Sequence, residues 1–103
     1  HISNDSILNY GSLQIDTNNH RVVRDGVTVD LTVREYAILE YLVRNRNIVV
    51  TREQIRANIW SIDDDINSNV VDVYIRYLRR KIDDPFEEKL IHTIRGVGYR
   101  LEC

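Results

Sequence analysis

Apolar and polar residues alternate along this chain with two different periods. Over the first thirty residues the period is two: Leu13 and Ile15 alternate with Gln14 and Asp16, and Val22-Val23 and Val27-Thr28-Val29 flank Asp25-Gly26. Asp-Gly between β-prone runs is a strong hairpin signal, because both residues tolerate positive φ. Ile7-Leu8-Asn9-Tyr10 ahead of Gly11, and the turn-like cluster Thr17-Asn18-Asn19-His20, complete the pattern of a small antiparallel meander of three or four strands.

From residue 32 the period becomes helical. Thr32-Val33-Arg34-Glu35 has the form of a capping box, a hydroxyl at the N-cap and a carboxylate three residues on. Tyr36, Leu39, Leu42 and Val43 follow at 3.6-residue spacing, so a helix is expected from there to about Arg44–Asn47. Thr51-Arg52-Glu53-Gln54 opens a second, short helix that carries Ile55 and Ile59 and ends near Trp60. Asn67, Ser68 and Asn69 offer N-caps for a third, expected to run to about Asp83 and to stop before Pro85. The pattern then returns to strands. Leu90–Ile94 and Tyr99–Glu102 surround Arg95-Gly96-Val97-Gly98, which reads as a hairpin whose turn explains both glycines.

The third helix, NVVDVYIRYLRRKI, changes the picture most. At about 100° per residue, Val71, Ile75, Leu78 and Ile82 form the core stripe. Asn69, Val73, Arg76, Tyr77 and Arg80 point the other way; Arg79 and Asp72 lie on one flank, and Val70, Tyr74 and Lys81 on the other. An ordinary solvated face accounts for the arginines but not for Val73 and Tyr77 among them. Apolar contacts beside forked guanidinium donors suit a DNA major groove, where thymine methyls neighbour guanine acceptors. Short helix, link and basic helix have the order of a helix-turn-helix with a lengthened turn, and the hairpin after them would be its wing.

Charge is segregated rather than large. The 103 residues carry a formal net charge of −2. Four bases (Arg76, Arg79, Arg80, Lys81) stand against one acid (Asp72) in residues 69–82, while residues 61–67, SIDDDIN, hold three acids and no base. The length fits one domain with one core. The one cysteine, Cys103, allows no internal disulfide, and no run is apolar enough to span a membrane, so a soluble, reducing compartment (the cytoplasm) is the simplest setting. The chain opens on His1 and has no methionine, which suggests a piece of a longer protein or a processed or tagged chain; residues 1–6, HISNDS, read as a linker or expression remnant.

Nothing points to catalysis, a metal or a cofactor. The three histidines are scattered, and no serine or cysteine sits in a nucleophile context. Asp63-Asp64-Asp65 lacks the spaced oxygens and glycine of a calcium loop.

The stretches LTVREYAILEYLVRN, TREQIRANIW, NVVDVYIRYLRRKID and IHTIRGVGYRL, in this order over about 31–101, resemble the C-terminal DNA-binding domain of OmpR/PhoB-family response regulators. The resemblance implies an α+β winged helix-turn-helix over residues 7–103: an N-terminal antiparallel four-stranded sheet, three helices and a C-terminal β-hairpin wing. It implies double-stranded DNA binding and transcription regulation as the output domain of a two-component system. Val70, Val73, Tyr77 and Arg80 fall where family members approach bases, with Asn69, Arg76 and Arg79 at or near backbone-contacting positions. Tyr74 stands where many members have histidine, and Tyr77 where some have arginine. Trp60 matches a phosphate-contacting tryptophan; Thr93, Arg95 and Tyr99 match wing positions, with Arg95 aimed at the minor groove. Implied partners are a direct-repeat operator bound by a head-to-tail dimer, RNA polymerase through the loop of Asp63, Asp64 and Asp65, and a histidine kinase acting on a receiver domain outside this chain. For that loop a plain solubilising role stays equally open. The rival for the whole chain is a winged-helix protein-interaction module that no longer binds DNA.

Overall fold

The computed structural model describes residues 6–61, 64, 67 and 69–102. The meander forms four strands, β1 (Ile7–Tyr10), β2 (Leu13–Asp16), β3 (Arg21–Arg24) and β4 (Val27–Val29), antiparallel and hydrogen-bonded in that order. Asp25 and Gly26 both take positive φ, 52° and 80°, as the β3–β4 turn requires. Leu13 and Ile15 face Arg24 and Val22 across the β2–β3 ladder, and all four are buried. The first described residue, Ser6, accepts a hydrogen bond on its carbonyl from the Thr17 amide at 2.7 Å.

Three helices follow among the described residues: α1 (Val33–Arg44), α2 (Arg52–Ile59) and α3 (Asn69–Ile82). Both capping boxes form. Thr32 Oγ1 accepts from the Glu35 amide while Glu35 Oε1 accepts from the Thr32 amide; Thr51 and Gln54 do the same for α2. The four expected stripe residues of α3 are its four buried ones, and they pack with Tyr36, Ile38, Leu39, Leu42 and Val43 of α1 and Ile55 of α2. Each fully buried leucine or isoleucine contributes about 1.5–3 kcal/mol by leaving water. Lys81 Nζ, 2.7 Å from Glu35 Oε1, pins α3 to the start of α1. Burial works against ionising Glu35, but the Lys81 bond and the Thr32 amide outweigh it and hold the carboxyl below its ordinary range.

The sequence pattern did not show Arg24 as the link between sheet and helices. Its side chain is 1% exposed. Its guanidinium donates to Ser12 Oγ at 2.7 Å, to the Glu88 carbonyl at 2.6 Å and to the carbonyl of Ile82 at the end of α3. It also lies 3.5 Å from the Asp83 carboxylate, whose two oxygens accept from the Leu90 and Ile91 amides at 3.0 and 3.1 Å. A buried charge survives only with partners of this kind.

The C-terminal hairpin corrects the expectation in two ways. Its strands β6 (Ile91–Ile94) and β7 (Gly98–Leu101) are joined by a third, the two-residue β5 (Val50–Thr51) between α1 and α2, in the order β5-β7-β6. And only Gly96, with φ 74°, serves the turn. Gly98 belongs to β7 and is there because β5 passes too close for a side chain: an added Cβ would overlap the Val50 carbonyl oxygen and sit 2.8 Å from Thr51 Cα.

Candidate nucleic-acid interface

With its core stripe buried, α3 presents Asn69, Arg76, Tyr77 and Arg80 to solvent, with Val73 half-buried between them. Tyr77 is 39% exposed. Val70 and Tyr74 are half-buried against the core. Tyr74 meets Trp60 and Tyr77 edge-on, with ring centroids 5.5 and 5.7 Å apart, so three aromatic rings line one side of the basic face. Trp60 is 7% exposed, and its ring is covered by the Arg34 guanidinium, 5.0 Å from the centroid, which also donates to the Ile59 carbonyl at 2.9 Å. The indole is therefore held in place, and most of its surface serves the core.

The hairpin tip, Arg95-Gly96-Val97, is exposed, as is Thr93 on β6. The remaining candidates are already engaged within the protein. Arg79 Nη2 donates to Thr93 Oγ1 at 2.6 Å and to the Ile91 carbonyl at 3.2 Å, so it ties α3 to the hairpin. Tyr99 is 7% exposed and donates its hydroxyl to Asp72 Oδ1. Burial, then the Asp72 carboxylate, push this phenol up to about 12, so it stays a donor at neutral pH. Asp72 in turn faces Arg52 Nη1 at 3.3 Å. The flank of α3 assigned to Asp72 and Arg79 is thus its contact with the wing. Lys81 is taken by Glu35, which leaves Arg76, Arg80 and Arg95 as the exposed cations of this surface.

Of the acidic loop, Asp64 is exposed and folds back on Ser61, whose amide donates to Asp64 Oδ2 at 3.0 Å. Asp63 and Asp65 lie outside the described residues. Among the described residues no group of His, Cys, Asp or Glu could hold a metal ion, and no helix is long and apolar enough to cross a membrane.

Residues 26–101 match the family model described as "Transcriptional regulatory protein, C terminal". The transcriptional regulatory protein YkoG of Bacillus subtilis is 45% identical over 97 residues, 94% of this chain and 42% of its own length. This chain thus spans about two fifths of that relative. The response regulator DrrB of Thermotoga maritima, an OmpR/PhoB homologue, superposes with a TM-score of 0.83 at 35% identity, covering 95% of this chain and 45% of that one. The DNA-binding domain of RstA from Klebsiella pneumoniae, solved in complex with the RstA box, gives a TM-score of 0.80 at 30% identity, covering 93% and 96%.

Proposed function

The chain belongs to the family of C-terminal domains of transcriptional regulatory proteins, of the OmpR/PhoB type, and on that premise we propose that α3 and the hairpin tip are the two parts with which it reads double-stranded DNA. It is a DNA-binding regulator of transcription with a winged helix-turn-helix fold. The single observation that carries the division of labour is the outward face of α3, where Arg76 and Arg80 alternate with Val73 and Tyr77 while the opposite stripe is wholly buried. Arg76, with Asn69 and the edge of Trp60, contacts phosphates; Val70, Val73, Tyr74, Tyr77 and Arg80 face base edges in the major groove. Arg95 enters the minor groove from the tip. An interaction module that had left DNA behind would have no use for this set of exposed cations.

The same reading extends to partners. Two copies bind head to tail on a direct repeat spaced by roughly one helical turn. The loop containing Asp63, Asp64 and Asp65 offers RNA polymerase an acidic contact. A receiver domain outside this chain, phosphorylated by a histidine kinase in the cytoplasm, controls the pairing.

Two measurements test it. Three to four cations (Arg76, Arg80 and Arg95, with Arg79 at the edge) are brought against the duplex and displace its counterions, so log affinity against log salt should slope by roughly −3 to −4 per domain. A slope near zero on duplex DNA rules the surface out. Changing Arg80 to alanine is expected to cost about 1–3 kcal/mol on the selected site and to relax preference at one or two base positions. Arg95→Ala should weaken binding with a loss that follows flanking A/T content, because the minor groove offers width and potential rather than a full base code. Binding-site selection with each variant separates the two. Equal weakening on every sequence, in both variants, removes the arginines as readers.

A further inference from the structure

The hairpin is tied to one flank of α3 at two heights. Near the start of the helix, Asp72 accepts from the Tyr99 hydroxyl on one carboxylate oxygen and holds Arg52 Nη1 at 3.3 Å on the other. Two turns on, about 10 Å along the axis, Arg79 bonds Thr93 Oγ1 and the Ile91 carbonyl, its guanidinium 5.7 Å from the Tyr99 ring centroid. One tie makes a pivot; two separated ties fix an angle. The upper tie is the unexpected one, because it places a carboxylate beside a surface that must approach phosphates. Asp72 works against affinity there. What it supplies is geometry.

We propose that Asp72 is a positioning residue for DNA reading: through Tyr99 it sets the angle of the hairpin to α3, so that the two meet their bases in one fixed register. The proposal rests on the DNA-reading function given above. Asp72 touches no DNA in this scheme. It converts a helix and a hairpin, each able to bind alone, into one rigid reader whose two contacts are satisfied together only on sequences with the right spacing between them.

The test is binding-site selection with this chain carrying Asp72→Ala, Asp72→Asn, Tyr99→Phe, and Asp72→Ala with Tyr99→Phe. Asp72→Ala should lose roughly tenfold in discrimination at the flanking positions read by the hairpin, the equivalent of one charge-assisted hydrogen bond. It should keep its preference at the positions read by α3, and its affinity for random duplex should hold or rise. Asp72→Asn, whose amide oxygen still accepts from Tyr99, should retain most flanking discrimination. Tyr99→Phe should mimic Asp72→Ala, and the double variant should be no worse than either single change. Should Asp72→Ala fail to fold in a thermal melt, Tyr99→Phe, which loses one hydroxyl, carries the same test. Uniform weakening on all sequences with preferences intact overturns the proposal, and so does additivity in the double variant. If the wild-type chain selects no sequence, it is the DNA-reading function that fails. Residual dipolar couplings of hairpin amides in the free chain then decide the positioning role: an orientation unchanged by Asp72→Ala overturns it, and a changed one upholds it.

Discussion

Changing Arg24 to methionine is expected to destabilise the fold by about 3–5 kcal/mol, because it strips a buried ion pair of one partner and leaves the other in place. Asp83 stays 3% exposed, with its charge no longer faced by the guanidinium at 3.5 Å. The carbonyls of Ile82 and Glu88 lose their donor at the same time. Methionine fills a comparable volume, so the loss measures the missing polar partners rather than a cavity. Urea unfolding should show a lower midpoint at unchanged slope. Ser12→Ala, which removes one of the same bonds and no charge, should cost only about 0.5–1.5 kcal/mol. A loss below about 1 kcal/mol for Arg24→Met would show that the link between sheet and helices bears no such weight.

Gly98→Ala should be comparably damaging, at about 3 kcal/mol or more, for a different reason. The new methyl meets backbone on β5, Thr51 Cα at 2.8 Å and the Val50 carbonyl carbon at 2.9 Å, and a backbone cannot rotate out of the way as a side chain can. β5 must separate from β7, which breaks the register of Val50 with Tyr99 and Thr51 with Gly98. Hydrogen exchange should quicken at β5 and β7 while β1 to β4 keep their protection. Gly96→Ala is the control. Its site is open, so it bears only the strain of φ 74°, about 1–2 kcal/mol. If the two substitutions cost the same, close approach is not what Gly98 serves.

These two residues also mark where the sequence stops being legible. Periodicity identifies α1, α2 and α3 closely, and capping the starts of α1 and α2 (Ser68, a cap candidate for α3, lies outside the described residues), because stripe and cap are local features: Thr32 and Glu35, or Val71 and Ile75, carry their meaning within one or two turns. The Asp25-Gly26 turn is local too. Gly98 looks like half of a turn until β5 is known to lie against it, and a two-residue strand has no period of its own. Arg24 left a faint trace. It shares strand parity with buried Val22, and an arginine on the inward face of a strand announces a partner without saying which. On α3 the outward residues were legible from the helical wheel, which put Arg80 outward and Arg79 on a flank with Asp72, but the wheel could not show that the hairpin engages that flank. Trp60 and Tyr99 carried no sequence sign of being buried.

The pairing of β5 with β7 has a consequence for how the chain is made. Thr51 is both the last residue of β5 and the N-cap of α2, yet its strand partner Gly98 lies almost half the chain further on. On the ribosome, α1, α2 and α3 are all synthesised before β7. The helices can condense early from neighbouring segments, whereas the hairpin has nothing to dock on until a long loop closes, a slow step because its entropy is lost before the contact is gained. A nascent chain therefore acquires its helical body first and its second reading element last.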